Sequence, residues 1–218
     1  MRQHWISTEQ EQRMDVLGEL KPSTKHIWIG LHGYGQLVEF FQRTFRDLAT
    51  EDRAFVFPQA PHKFYINGVS GRVGASWMTK DERLKDIENQ KKYLTTVINW
   101  AHAKAPSTPI HVLAFSQGVA TIIRFLGHSP VRISTLLAWA GSWPPDASEE
   151  NVKALSKINF HYHAEHHLWP WISYQYLPEI NARIWKGQEG EQSLFINGNL
   201  VVVGDTYAAG IKDVIRGK

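Results

Sequence analysis

The chain has 218 residues, 43% hydrophobic and 21% charged, with a formal net charge of +3. That length and balance suit one globular domain with a sizeable core. Lys and Arg are spread without a dense block, which argues against nucleic-acid binding. The absence of cysteine excludes disulfide and thiol chemistry and fits a cytoplasmic protein. The N-terminal stretch lacks the apolar core of a signal peptide, and no run approaches the roughly 18 apolar residues of a membrane span.

In chain order, His4–Thr8 and Arg13–Leu20 read as two short edge strands. His26–Leu31 is an apolar run fit for a buried central strand, ending in the glycine-bearing loop His32-Gly-Tyr-Gly35. Leu37–Ala49 has helical spacing, with Leu37, Phe40, Phe41, Phe45 and Leu48 on one side. Arg53–Phe57 is another strand, closed by Pro58-Gln-Ala-Pro61. A long loop over His62–Lys80 holds Gly68, Gly71, Gly74 and Trp77, and a loop of that length is usually functional or mobile. Asp81–Ala103 is a long amphipathic helix with Asp81 as a plausible N-cap.

Ile110–Phe115 is a β-prone run. Ser116, Gln117 and Gly118 follow, and then the apolar helix Val119–Leu126. A serine at the tip of a tight strand-to-helix turn is a nucleophile elbow, and its crowding demands small residues around it. Gly118 meets that demand, and Ala114 stands where a glycine is usual, giving A-x-S-x-G. Ser134–Ala140 is a further buried strand and Ala147–Lys157 a short helix. The alternation predicts an α/β protein with an open, mostly parallel sheet covered on both faces. Ile158–Tyr162 reads as a strand, Leu194–Ile196 and Leu200–Val203 as a hairpin about Asn197-Gly198, and Thr206–Arg216 as a terminal helix.

Active sites of open α/β sheets lie beyond the carboxyl ends of the strands. The loops at His32–Gly35, Ser116 and Gly141–Pro145 satisfy that condition. Serine attack on an acyl carbon needs fixed donors for the developing oxyanion. The expected donors are the backbone N–H groups of Gln117 and Tyr34. His32 precedes the serine and reads as a loop-packing residue.

Leu31-His-Gly-Tyr-Gly35, Phe57-Pro-Gln-Ala-Pro61, Gly74-Ala-Ser-Trp77 and Ala114-Phe-Ser-Gln-Gly118 together resemble the phospholipase/carboxylesterase family of α/β-hydrolases over roughly residues 10–147. The resemblance implies a three-layer α/β-hydrolase fold and a carboxylic ester substrate. It further implies Ser116 as nucleophile, Tyr34 and Gln117 at the oxyanion hole, Trp77 near the acyl pocket, and no cofactor.

The fold's chain order of serine, acid, histidine is not completed in the usual way, because no histidine follows His167. Glu165 is the nearest carboxylate, and His163 or His166 are the candidate bases. Tyr162-His-Ala-Glu-His-His-Leu-Trp-Pro170 resembles the last histidine box of membrane fatty-acid desaturases, where the matching His163, His166 and His167 would hold a di-iron centre. That family needs further histidine boxes and membrane spans, neither of which is in this chain. The sequence therefore divides into a hydrolase domain over 1–157 and an atypical segment over 158–218, for which a different origin is one reading. The first reading is a serine esterase. The alternatives are a hydrolase-like or chimeric protein with an impaired triad, or a histidine-box fragment.

Overall fold

A computed structural model describes residues 2–128, 131–155, 159–163, 193–196, 199–202 and 215–216. Its centre is a six-stranded sheet. The strands are β1 (Met14–Leu17), β2 (His26–Leu31), β3 (Arg53–Pro58), β6 (Ile110–Phe115), β7 (Ile133–Trp139) and β8 (Asn159–His163), in the order β1-β3-β2-β6-β7-β8. β1 pairs antiparallel with β3, and every other pairing in this sheet is parallel.

Side chains alternate across the sheet, as the pleat requires. Ile27, Ile29, Leu31, Val56, Val112 and Ala114 enter one core, shared with Leu94, Val97 and Ile98 of α2 (Arg83–Lys104) and Ile122 and Ile123 of α3 (Gln117–Phe125). Trp28, Phe55, Phe57, Leu113 and Leu137 enter a second core on the opposite face, with Phe41, Phe45 and Ile215. Gly30 is required on that second face, because a Cβ there would lie 2.3 Å from the Phe57 ring.

Several local expectations shift. Residues 4–8 form no strand. Only Met14–Leu17 of the second edge run pairs, so the two expected edge strands are replaced by one strand on β3. The helix expected over 37–49 divides into α1 (Val38–Phe41) and a 3-10 helix (Gln42–Leu48). Its β-branched and aromatic residues have poor helix propensity, and Leu37 offers no side-chain cap. Within the loop at 62–80, β4 (His62–Tyr65) pairs antiparallel with β5 (Val73–Ser76). Asp81 does not cap α2; the N-cap is Glu82 at a left-handed φ of 49°, with no side-chain cap bond. The short helix expected after 147 is α4 (Glu149–Leu155), entered through a reciprocal cap. Ser148 Oγ accepts from the Asn151 N–H, and Asn151 Oδ1 accepts from the Ser148 N–H.

β8 pairs with β7, so the sheet runs across the boundary expected at 157/158. β9 (Ser193–Ile196) and β10 (Asn199–Val202) pair antiparallel with Asn199 opposite Ile196, the register of the expected two-residue hairpin. Of the expected terminal helix, 215–216 lie within the described residues: Ile215 is buried in the second core and Arg216 pairs with Asp47 at 3.1 Å. Among the described residues no helix is long and apolar enough to cross a membrane.

Candidate active site

Ser116 stands between β6 and α3 with φ 52° and ψ −114°, a strained conformation for a residue with a Cβ. The turn is held on every side. The Ser116 N–H donates to Trp139 O at 2.9 Å, at the carboxyl end of β7, and the Val119 N–H returns to Ser116 O at 3.0 Å. Gly118 is obligatory, since a Cβ there would meet Leu31 O at 2.6 Å. Gly141 is equally confined: a Cβ would lie 2.2 Å from Val119 Cβ and 2.8 Å from Ser116 O.

The Gln117 side chain pins the start of α3 to the end of β5. Its Oε1 accepts from the Trp77 N–H at 2.9 Å, and its Nε2 donates to Ser76 Oγ at 3.0 Å and Met78 O at 2.9 Å. As the first residue of α3, Gln117 has a backbone N–H with no intrahelical acceptor.

The loop after β2 packs against this turn. A Cβ on Gly33 would lie 3.1 Å from Ser116 Cβ and 2.9 Å from the Phe115 ring. Its backbone donors are almost all engaged. The Gly33 N–H donates to Gln36 Oε1, the Gly35 N–H to Ala75 O and the Gln36 N–H to Gly33 O. The Tyr34 N–H has no acceptor among the described residues. The Tyr34 ring is 62% exposed and stacks on Phe64.

His32 is wholly buried and carries the loop from beneath. Its Nε2 faces the Ala60 N–H and Gln59 Nε2, both at 3.0 Å, so it accepts, and Nδ1–H donates to Gly33 O at 2.8 Å. Burial pushes its pKa below the usual imidazole value, the bond to Gly33 opposing. The neutral ring is a strut, as expected, and both its nitrogens are occupied. Trp77, expected beside the acyl pocket, is also wholly buried. Its indole N–H donates to His32 O at 2.8 Å, and its carbonyl accepts from Gln90 Nε2. With no exposed surface, Trp77 braces the loop from behind.

Ser116 Oγ has no hydrogen-bond partner among the described residues, and no imidazole is bonded to it there. His163 ends β8 with its backbone level with Trp139, which in turn is level with Phe115. It therefore lies two strands from the elbow, about 10 Å across the sheet at the usual strand spacing. Glu165, His166 and His167 lie outside the described residues. Among the described residues no group of three or more acidic or histidine side chains is placed to hold a metal.

A cleft of about 160 Å³ opens against Phe115, the residue before Ser116, with Ser116 itself outside its lining. Gly35 and Leu37 wall it on one side and Phe115 and Trp139 on another, with Phe40 and Arg72 also lining it. Sequence reasoning missed this cleft, and also missed Gln59, Ser76 and Gln90, which fix the loop and elbow. The conspicuous Phe57-Pro-Gln-Ala-Pro61 and Gly74-Ala-Ser-Trp77 segments were the available signal, but their partners are remote in the chain.

No protein-family model matches the sequence, and no curated protein matches it significantly. Solved structures do share its fold. Acyl-protein thioesterase 2 from Zea mays superposes with a TM-score of 0.53 at 17% identity, over 73% of this chain and 80% of that one. Esterase PE8 superposes with a TM-score of 0.50 at 21% identity, over 70% and 72%. An uncharacterized protein from Bacillus cereus gives a TM-score of 0.53 at 13% identity, over 84% and 53%. The mostly parallel sheet with helices on both faces is thus the α/β-hydrolase fold.

Proposed function

We propose that the chain is a serine hydrolase of carboxylic esters, with Ser116 as the nucleophile. The observation that carries this reading is the strained serine at φ 52° near two backbone N–H groups, of Gln117 and Tyr34, that have no acceptors among the described residues. Ser116 Oγ attacks the acyl carbon and gives up its proton to a base. The carbonyl oxygen becomes an oxyanion between the Gln117 and Tyr34 amides, and the alcohol leaves with a proton returned from the base. Water then cleaves the acyl-enzyme by the same route.

Imidazole is the fitting base, and His163 is the candidate that β8 brings to the carboxyl edge of the sheet. His166 is the second candidate and Glu165 the nearby acid. Trp77 acts in this reading as a positioning residue for the oxyanion loop. That the solved structures sharing the fold include a thioesterase and an esterase adds weight to acyl transfer. The reading places the protein in the cytoplasm, acting on a small-molecule ester without a cofactor.

A fluorophosphonate probe tests the nucleophile. Labelling of the folded wild type, abolished in Ser116→Ala, is the expected result; a folded wild type that takes no label overturns it. Loss of labelling in His163→Ala, with His166→Ala unaffected, would assign the base. One observation favours a second reading, a hydrolase-like scaffold without turnover: Ser116 Oγ has no hydrogen-bonded acceptor among the described residues. An unlabelled, fully folded wild type is the result expected of it.

A further inference from the structure

The cleft lined by Phe115, the residue before Ser116, combines three features. Its wall is aromatic and aliphatic, with Leu37, Phe40, Phe41, Phe115 and Trp139. Phe115 and Trp139 stand edge-tilted with centroids 4.7 Å apart, and Phe41 stacks beside Phe115 at 6.3 Å. Its volume, about 160 Å³, is below the roughly 300–1,000 Å³ of pockets for drug-sized ligands. It therefore suits a short chain or a single ring.

The third feature is charge. Among the described residues no acidic side chain lines the cleft, whereas Arg72 does. Arg72 is exposed and has no carboxylate partner among the described residues. Arg43 does not line the cleft but stands against one of its lining residues, its guanidinium 4.7 Å from the centroid of the Phe40 ring. It too has no ion-pair partner among the described residues. The nearby Glu39 and Asp47 are engaged elsewhere, by Arg13 and Arg216. Arginine presents a planar fork of donors suited to carboxylate or phosphate, and an aromatic wall lowers the local dielectric and strengthens the pairing.

We infer that this cleft selects compact esters carrying one anionic group, with Arg72 as the principal anion-pairing residue and Arg43 as its support. The inference rests on the hydrolase reading for its turnover, but its binding component stands alone. The mildly basic balance of the whole chain, +3, would favour the approach of such a ligand only weakly, so the selectivity is assigned to the two named residues.

The test is calorimetric binding of 4-phenylbutyrate and 4-phenyl-1-butanol to the wild-type protein, neither ligand being an ester. The carboxylate is expected to bind roughly fivefold tighter or more, the upper range for a solvent-accessible ion pair, and to lose that advantage in high salt. In Arg72→Gln the two ligands should bind within about twofold of each other, and in Arg72→Glu the alcohol should win. Arg72 is exposed and without an ion pair, so both variants should fold, which circular dichroism checks. The phosphate monoester of the same tail identifies the anion: tighter binding than the carboxylate names a phosphate, weaker binding a carboxylate, and both support the inference. Equal binding of acid and alcohol, binding of neither, or a preference that survives the double Arg43→Gln/Arg72→Gln variant overturns it. Fluorophosphonate labelling of the same preparation separates the two readings. A labelled protein with no anion preference sinks the inference alone, and an unlabelled protein with the preference intact sinks the hydrolase reading alone.

Discussion

At the carboxyl end of the sheet, Ser116 and Ala140 follow β6 and β7 at φ 52° and 48°. At the amino end, no non-glycine residue leading into β2, β3 or β6 has a positive φ. His26 and His111 face each other at 3.2 Å, and His111 stacks on Trp28 with centroids 4.8 Å apart. Both ends bring histidines and aromatics together. Only one stores backbone strain, and the same end leaves backbone donors without acceptors. Strain persists where the surroundings over-determine it. Here they do so through Gly118 against Leu31, Gly141 against Val119, and the Gln117 amide against β5.

The sharpest way to break this contrast is to crowd the elbow. Gly118→Ala should cost about 3 kcal/mol, because the new Cβ meets backbone that cannot yield, and urea melts would read it. A cost below about 1 kcal/mol would mean that the turn is looser than its geometry. His32→Ala should cost a similar amount, about 2–3 kcal/mol, by leaving the Ala60 N–H, Gln59 Nε2 and Gly33 O without their ring partner.

His32 also gives a signed pH effect. Its pKa is lowered below the ordinary 6.5 by burial, so the unfolded chain binds a proton more readily. Stability should be complete above about 6.5 and fall as the pH drops from there through the lowered pKa. His26 is shifted in the same direction, by burial and by the charges of Arg53 and Lys25, so wild type should lose more stability between pH 7.5 and 5.5 than His32→Asn does, and His32→Asn more than a double variant with His26→Asn. Equal losses in all three would remove both histidines from the account.

Gln117→Ala should cost about 1–2 kcal/mol for its lost bonds to β5 and, on the proposed serine-hydrolase reading, lower the rate of probe labelling by loosening the turn at Ser116. Ser116→Gly should move the other way, stabilising by up to about 1 kcal/mol as strain is relieved, with labelling abolished. The smallest effect is expected at the amino end. His111→Phe, which keeps the stack on Trp28, should stay within about 1 kcal/mol and leave labelling unchanged. A large loss of labelling there would erase the distinction between the two ends.

Much of the fold was legible because parallel strands buried on both faces appear as continuous apolar runs. His26–Leu31, Ile110–Phe115 and Ser134–Ala140 each fall within a residue or two of an observed strand. The strand-to-helix turn at Ser116 was legible for a related reason: Ser116 and Gly118 are constrained by a turn whose atoms are neighbours in the chain. Asp81 failed as a cap because the chain enters α2 through a left-handed Glu82, a choice set by the turn at 79–86 and invisible in residue preferences. The helix at 37–49 failed because periodicity marks a buried face equally well for an α-helix and a tighter 3-10 turn.

Sequence alone determined the layered α/β architecture, the serine at its turn and the identity of the loop beside it, since each depends on residues within a few positions of one another. Tertiary structure decided what those residues touch. It buried Trp77 and made His32 a strut, since only folding brings Gln59, Ala60 and Gly33 around one ring. It also set Arg72 at the mouth of an aromatic cleft formed by segments from residue 35 to residue 139. Burial and pairing between distant segments depend on where the whole chain closes, and local spacing carries no record of that.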